Sequence, residues 1–353
     1  MIKIVTILGA RPQFIKAAVV SKAFIKTKQI TEVIIHTGQH YDSKMSDLFF
    51  NEMNIPRPKY FLNINGQSHG AMTGRMIEKI EELLIIEKPD YVLVFGDTNS
   101  TLAGAIACKK LNIKLIHVEA GLRSFNNLMP EEINRIITDR ISDLLFCPTE
   151  TAVKNLNSEG LKENTMFNVG DVMQDAVNFY SKKNKKPTFK HDSNFILCTI
   201  HRAENTDDNS KLLEIFNALE EISKSTQVIL PLHPRTNNKL KDLGYDLDKN
   251  NILIVSPVGY LEMMYLLKNC SMVMTDSGGL QKEAYMFKKF CITLREETEW
   301  VELLENGYNV LVGSDKIKIL QAYNNIDKVV IEPGIYGLGD ASEKIAGIIL
   351  KNQ

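Results

Sequence analysis

The chain has 353 residues, 44% of them hydrophobic and 24% charged, with 42 Lys and Arg against 43 Asp and Glu. That composition excludes extensive disorder, and the length exceeds one compact core and suits two domains. A formal charge of −1 excludes a wide one-sign field for nucleic acid or an anionic membrane, and no apolar run approaches the roughly 18 uncharged residues of a membrane span.

The opening Met1-Ile2-Lys3-Ile4-Val5-Thr6-Ile7-Leu8 is short and charged early, and it reads as a buried strand, not a signal peptide. Strands are predicted over Lys3–Leu8, Glu32–His36, Tyr91–Phe95, Lys114–Val118, Leu144–Cys147 and Met166–Val169. A polar gap near Ser181–Pro187 follows, read as a solvated surface loop. Beyond it come Phe195–Ile200, Gln227–Pro231, Ile252–Val255, Met272–Thr275, Phe290–Leu294 and Asn309–Val312. Helical lengths separate most of them, as in βαβ units. The plainest helix is Gln67–Glu87, where Met72, Met76, Ile80 and Leu84 recur every fourth residue. The pattern predicts two doubly wound, Rossmann-like α/β domains, residues 1–170 and 171–334, with a hinge near Gly170-Asp171-Val172. A final helix, about Glu343–Leu350, could pack on either. Cys108, Cys147, Cys198, Cys270 and Cys291 are scattered and odd in number, which suits reduced thiols in a cytosolic protein.

In open parallel sheets, ligands bind beyond the carboxyl ends of the strands. The residues that follow the predicted strands are therefore the candidate site, and two domains facing each other would gather them in one cleft. Asp97 and Glu119 each end an apolar strand. Partial desolvation there raises a carboxyl group toward values useful for proton transfer. Glu131 opens a helix, where it serves either catalysis or the helix dipole. Arg11 and Lys16 stand at the start of the first helix, as phosphate contacts or as surface salt-bridge partners.

His201 closes a strand in a loop crowded by Arg202, Glu204 and Asn205, and His233 closes the next. Asp276-Ser277-Gly278-Gly279 opens a helix after a strand, so its free N–H groups suit a pyrophosphate. Glu283, further along, could take both hydroxyls of a ribose. Neither this loop nor Gly9–Lys16 carries a Walker or dinucleotide fingerprint, which argues against hydride chemistry on NAD. His36 and His40 are spaced as on a strand-end loop, and no Glu-x-x-His occurs, so no dedicated metal site is expected. Ser277 lacks the Gly-x-Ser-x-Gly elbow of a serine hydrolase.

In the first half the diagnostic segments are Gly9-x-Arg11-Pro12-x-x-Ile15-Lys16, Gly96-Asp97-Thr98, His117-Val118-Glu119-Ala120-Gly121-Leu122-Arg123 and Pro130-Glu131-Glu132-x-Asn134-Arg135. In the second they are His201-Arg202-x-Glu204-Asn205, His233-Pro234, Asp276-Ser277-Gly278-Gly279-x-Gln281-x-Glu283 and Arg295-x-x-Thr298-Glu299. Taken in this order, they make the sequence resemble the non-hydrolysing UDP-N-acetylglucosamine 2-epimerases over nearly its whole length. The resemblance implies a glycosyltransferase-B-like fold with the C-terminal helix, about 335–353, returning to the first domain. It also implies a cytoplasmic homodimer without cofactor, supplying precursors of a surface polysaccharide. The implied reaction interconverts UDP-GlcNAc and UDP-ManNAc through a 2-acetamidoglucal and free UDP.

By motif, Asp97, Glu119 and Glu131 match the family's proton-transfer acids, and His201 the histidine near the pyrophosphate. Arg11, Ser277, Gly278, Gly279 and Glu283 match the UDP-binding positions, and Lys16, Arg135 and Arg202 complete the expected substrate-binding set. The family commonly opens Gly-Thr-Arg-Pro-Glu, but Ala10 and Gln13 stand here. The segment Gly38-Gln39-His40-Tyr41-Asp42 and the one around His69 differ from the branch in which UDP-GlcNAc is also an activator. Eleven residues separate Glu119 from Glu131, fewer than in many relatives. These features resemble the branch acting on UDP-2,3-diacetamido-2,3-dideoxy-glucuronate, and the loss of an acid at 13 would suit an anionic sugar. The same motifs also leave room for a hydrolysing epimerase, or for a transferase on this architecture.

Overall fold

A computed structural model describes residues 1–39, 55–245, 251–325 and 329–352. His40, Tyr41 and Asp42 lie outside the described residues, as does the side chain of Arg11.

The first sheet is formed by β1 (Ile2–Leu8), β2 (Ile30–His36), β3 (Tyr60–Phe61), β4 (Tyr91–Phe95), β5 (Lys114–Val118), β6 (Leu144–Cys147) and β7 (Met166–Asn168). The strands are parallel, in the order β3-β2-β1-β4-β5-β6-β7. Its central strands are buried along their length, which is why β1 and β4 read as continuous apolar runs and not as alternation. One strand beyond the predicted six is present: β3 is two residues at the sheet edge, too short for a periodic signal.

The second sheet is built from β8 (Phe195–Thr199), β9 (Gln227–Pro231), β10 (Ile252–Val255), β11 (Met272–Thr275), β12 (Cys291–Thr293) and β13 (Asn309–Leu311). These strands are also parallel, in the order β10-β9-β8-β11-β12-β13. Helix His69–Glu87 buries Met72, Met76, Ile80 and Leu84 into the first core. Helix Asn209–Ser223 buries Leu212, Ile215, Phe216 and Leu219 into the second. Among the described residues, no helix is long and apolar enough to cross a membrane.

The chain divides into one unit of Met1–Phe179 with Gly334–Gln353 and another of Tyr180–Pro333. The division falls after the hinge expected at Gly170–Val172, for a reason visible in the hydrogen bonds. Asp171 N–H donates to Tyr336 O at 3.0 Å, and Asp175 accepts from Ser342 N–H at 2.8 Å and Ala341 N–H at 3.2 Å. Asn178 Nδ2 donates to Leu338 O at 3.1 Å. Helix Val172–Tyr180 is thereby tied to the returning C-terminal segment, whose helix Ala341–Lys351 packs on helix Arg11–Thr27. The Ser181–Pro187 stretch is a short 3₁₀ turn and a loop with exposed lysines.

Glu87, at the end of its helix, fastens the edge of the first sheet. Its carboxylate meets Lys3 Nζ and Lys59 Nζ, both at 2.7 Å, and Tyr60 Oη at 2.5 Å. The Lys3, Lys59 and Tyr60 donors hold it down from an ordinary 4.5 to about 2. A carboxylate depressed on folding contributes stability that is present above its unfolded pKa and lost as pH falls through its folded one. Glu87→Gln is therefore expected to lower the melting temperature at pH 7. The gap to the wild type should close between pH 4.5 and about 2 in thermal scans across that range. A gap independent of pH would assign Glu87 a packing role only.

Candidate functional site

Strand order reverses between β1 and β4 in the first unit and between β8 and β11 in the second, and the candidate residues follow those strands. In the first unit, Gln13 joins the two loops at the switch point. Its Oε1 accepts from Gly9 N–H at 2.8 Å and Ala10 N–H at 3.0 Å. Its Nε2 donates to Phe95 O at 2.7 Å and to the hydroxyls of Thr98 and Thr101, both at 3.0 Å. An amide supplies donor and acceptor on one side chain, and all of this capacity is spent on the protein's own groups. Residue 13 is buried, and it shapes the loop around Asp97.

Beyond β4, Gly96 adopts φ +61° and hands the chain to Asp97, and Thr98 caps helix Asn99–Lys110. The Asp97 side chain is 32% exposed, with Oδ2 accepting from Arg135 Nε at 3.0 Å and Nη2 at 2.6 Å. Burial pushes this carboxyl up. Arg135 opposes that, nearby Glu119 adds to it, and Lys16 opposes it weakly.

Glu119 follows β5 with φ +74°, a left-handed conformation that costs a side-chain-bearing residue about 1–2 kcal/mol. Its N–H and that of Ala120 both donate to Phe146 O, at 3.0 and 3.1 Å, which holds the turn. The Glu119 carboxylate lies against Gly96, where an added Cβ would stand 3.2 Å from Oε2. It is ion-paired with Lys16. The partner of Lys16 is thus this buried strand-end acid.

Helix Pro130–Ile141 inverts the usual pattern. Ile133, Ile136 and Ile137 are exposed, while Glu132, Asn134, Arg135, Thr138 and Asp139 are buried. Glu131 is exposed and makes no hydrogen bond or ion pair among the described residues. Its neighbour Glu132 instead accepts from Arg135 Nη1 at 2.7 Å and from the N–H groups of Ser124 and Phe125. Burial acts upward on Glu132, but these donors hold it below the usual carboxylate range.

Asp139, fully buried, meets His117 Nδ1 at 2.6 Å, Arg123 Nη1 at 2.7 Å and Gly121 N–H at 3.1 Å. The other nitrogen of His117 donates to Gly96 O at 2.8 Å. Sequence reading passed over Glu132 and Asp139. The signal was available in the polar residues at 132, 135 and 139, one helix face, with isoleucines on the other.

In the second unit Asp276 is the hub, at 0% exposure. It accepts from His201 N–H at 3.1 Å, Arg202 N–H at 3.0 Å and Asn205 Nδ2 at 3.1 Å, and its Oδ1 lies 3.1 Å from His201 Nδ1. Burial acts upward on its carboxyl, and His201, the Arg202 N–H and Asn205 bring it below its ordinary value. Ser277 caps helix Gly278–Met286. A Cβ at Gly278 would stand 2.4 Å from Glu299 Oε1, so the Glu299 side chain would have to move, and Gly279 faces open space. Trp300 Nε1 donates to Gly278 O at 2.9 Å, and Arg295 Nη1 to Glu299 Oε2 at 3.1 Å. Glu283 is buried within the same helix. His233 is exposed and caps helix Pro234–Asp242 by accepting from Arg235 N–H, a structural role.

By fold, this is a glycosyltransferase-B-like α/β protein of two parallel sheets. The crystal structure of Methanocaldococcus jannaschii UDP-GlcNAc 2-epimerase in complex with UDP-GlcNAc and UDP matches with a TM-score of 0.86 at 42% identity, covering 99% of this chain and 100% of that one. A UDP-2,3-diacetamido-2,3-dideoxy-D-glucuronate 2-epimerase of Pseudomonas aeruginosa is 52% identical over 355 residues, 99% of each chain. A UDP-N-acetylglucosamine 2-epimerase homolog of Methanococcus maripaludis is also 52% identical, over 98% of this chain and 99% of its own. The family description UDP-N-acetylglucosamine 2-epimerase matches residues 22–350, and the chain belongs to that family. It is accordingly an isomerase, a 2-epimerase of UDP-hexosamine sugars.

Proposed function

We propose that the enzyme interconverts UDP-GlcNAc and UDP-ManNAc by eliminating UDP and adding it back. The observation that carries the reading is the pairing of Asp97 and Glu119 at the ends of adjacent strands, each held by its own cation. The proton at carbon 2 is weakly acidic, so its removal needs a placed carboxylate and a stabilised leaving group. One of these acids takes the proton as the C1–O bond breaks and its electron pair leaves with UDP. The second delivers a proton to the opposite face as UDP returns. Asp97, pushed up by burial, is suited to carry a proton between steps. Glu131, exposed at a helix start, is the third acid in this reading.

The nucleotide is assigned to the second unit. His201, Arg202 and the start of helix Gly278–Met286 take the pyrophosphate, and Glu283 takes the ribose. Arg11 and Lys16 add positive charge at the first loop, and Arg135 sets the orientation of Asp97. The reaction needs no cofactor. We assign the protein to the cytoplasm as a homodimer that supplies a surface polysaccharide.

A second reading, epimerisation of UDP-2,3-diacetamido-2,3-dideoxy-glucuronate, is favoured by the relative of Pseudomonas aeruginosa. Proton NMR in deuterated water, with each nucleotide sugar incubated separately, decides between them. Deuterium entering carbon 2 with a manno product from UDP-GlcNAc is the expected result. Exchange with the diacetamido acid alone would keep the mechanism and change the substrate, and exchange with neither would overturn both.

A further inference from the structure

Asp276 has a chemical peculiarity among the acids of the second unit. It is fully buried, yet among the described residues its partners include no lysine or arginine side chain. Its charge is met by two backbone N–H groups, the Asn205 amide and the Nδ1 atom of His201. Asn205 is itself fixed, since the same Nδ2 also donates to Leu294 O at 2.9 Å. Thus the hub is rigid on every side but one, where the His201 ring is 57% exposed.

We propose that Asp276 is a positioning residue for His201, fixing the ring by its Nδ1–H so that Nε2 points outward to the departing diphosphate. The proposal deepens the nucleotide assignment above and rests on it. An ionised carboxylate only accepts hydrogen bonds, so the nitrogen facing it must carry the proton. In the neutral ring Nε2 is then an outward lone pair, and in the charged ring it is an outward N–H. The charged form, with the carboxylate behind it, donates to the oxygen that gains the electron pair when the C1–O bond breaks. Asp276 directly precedes Ser277 and the helix it caps, so one residue aligns the ring with the N–H groups of Gly278 and Gly279. A free histidine side chain favours its proton on Nε2, so the opposite tautomer is a signature of the pairing and not of folding as such.

The test is ¹⁵N–¹H NMR of histidine-labelled enzyme, with the His201 signals identified by their loss in His201→Gln. The expected result is a wild-type ring that carries a proton on Nδ1, the nitrogen facing Asp276. In Asp276→Asn the proton should move to Nε2 and kcat should fall about 100-fold, while KM and the Kd for UDP stay within about threefold. A wild-type ring protonated at Nε2 alone, or a folded Asp276→Asn enzyme of undiminished kcat, would overturn the proposal. The wild-type tautomer decides the matter even if the variant does not fold. It also does so independently of which UDP-sugar is turned over, so a failed substrate assignment is a separate result.

Discussion

Asp97→Asn is expected to reduce epimerisation about 1,000-fold, within the usual range for loss of a positioned acid or base. The amide keeps the shape and can still accept from Arg135, so the turn between β4 and helix Asn99–Lys110 survives. On the proposed mechanism, what disappears is the capacity to take or give a proton at carbon 2. The loss should appear equally in deuterium incorporation and in product formation, with the Kd for UDP unchanged, because the nucleotide is assigned to the other unit. Arg135 stays paired through Glu132 at 2.7 Å, so the melting temperature should move little. Retention of turnover within about tenfold would remove Asp97 from the proton-transfer step. The contrast with Glu131 sharpens the test. That side chain is exposed and unpaired among the described residues, so Glu131→Gln should leave the fold intact, and its effect on turnover measures its part in the reaction directly.

The second large effect is expected at a residue that touches no substrate. Asp139→Ala removes the carboxylate between His117 and Arg123, both buried. Arg123 keeps Glu159 at 2.6 Å, but the His117 nitrogen loses its partner in a fully buried site. Breaking a buried ionic cluster from one side costs about 3–5 kcal/mol. For a unit of this size that is a fall of roughly 10 °C in melting temperature. Turnover should fall as well, because His117 carries the link from Asp139 to Gly96 O, the residue before Asp97. Differential scanning calorimetry with parallel kinetics reads both. A melting temperature within about 2 °C of wild type would show that His117 and Arg123 do not depend on the Asp139 carboxylate for their charge.

The Asp139 cluster also marks where sequence reasoning stopped. Strands such as Tyr91–Phe95 and Met272–Thr275 were legible because burial on both faces leaves an unbroken apolar run. Their carboxyl ends were legible in turn, since a parallel sheet puts its ligand loops there. From those two facts Asp97, Glu119, His201 and Ser277–Gly279 follow without coordinates. The two-residue strand Tyr60–Phe61 does not, because its place at the sheet edge depends on pairing with His36 and on Glu87 beneath Tyr60.

What the sequence by itself determined is the class: parallel α/β architecture, polar residues at the strand ends, and motifs that name the family. Only the tertiary structure decided which polar groups face each other. Lys16 meets Glu119, Arg135 bridges Asp97 and Glu132, Gln13 spends its amide on the backbone, and Asp276 takes the ring of His201. The physical reason is range. Periodicity and strand-end placement are local consequences of backbone geometry. The pairing of a charge is set by whichever group, tens or hundreds of residues distant in the chain, the fold brings within hydrogen-bonding distance.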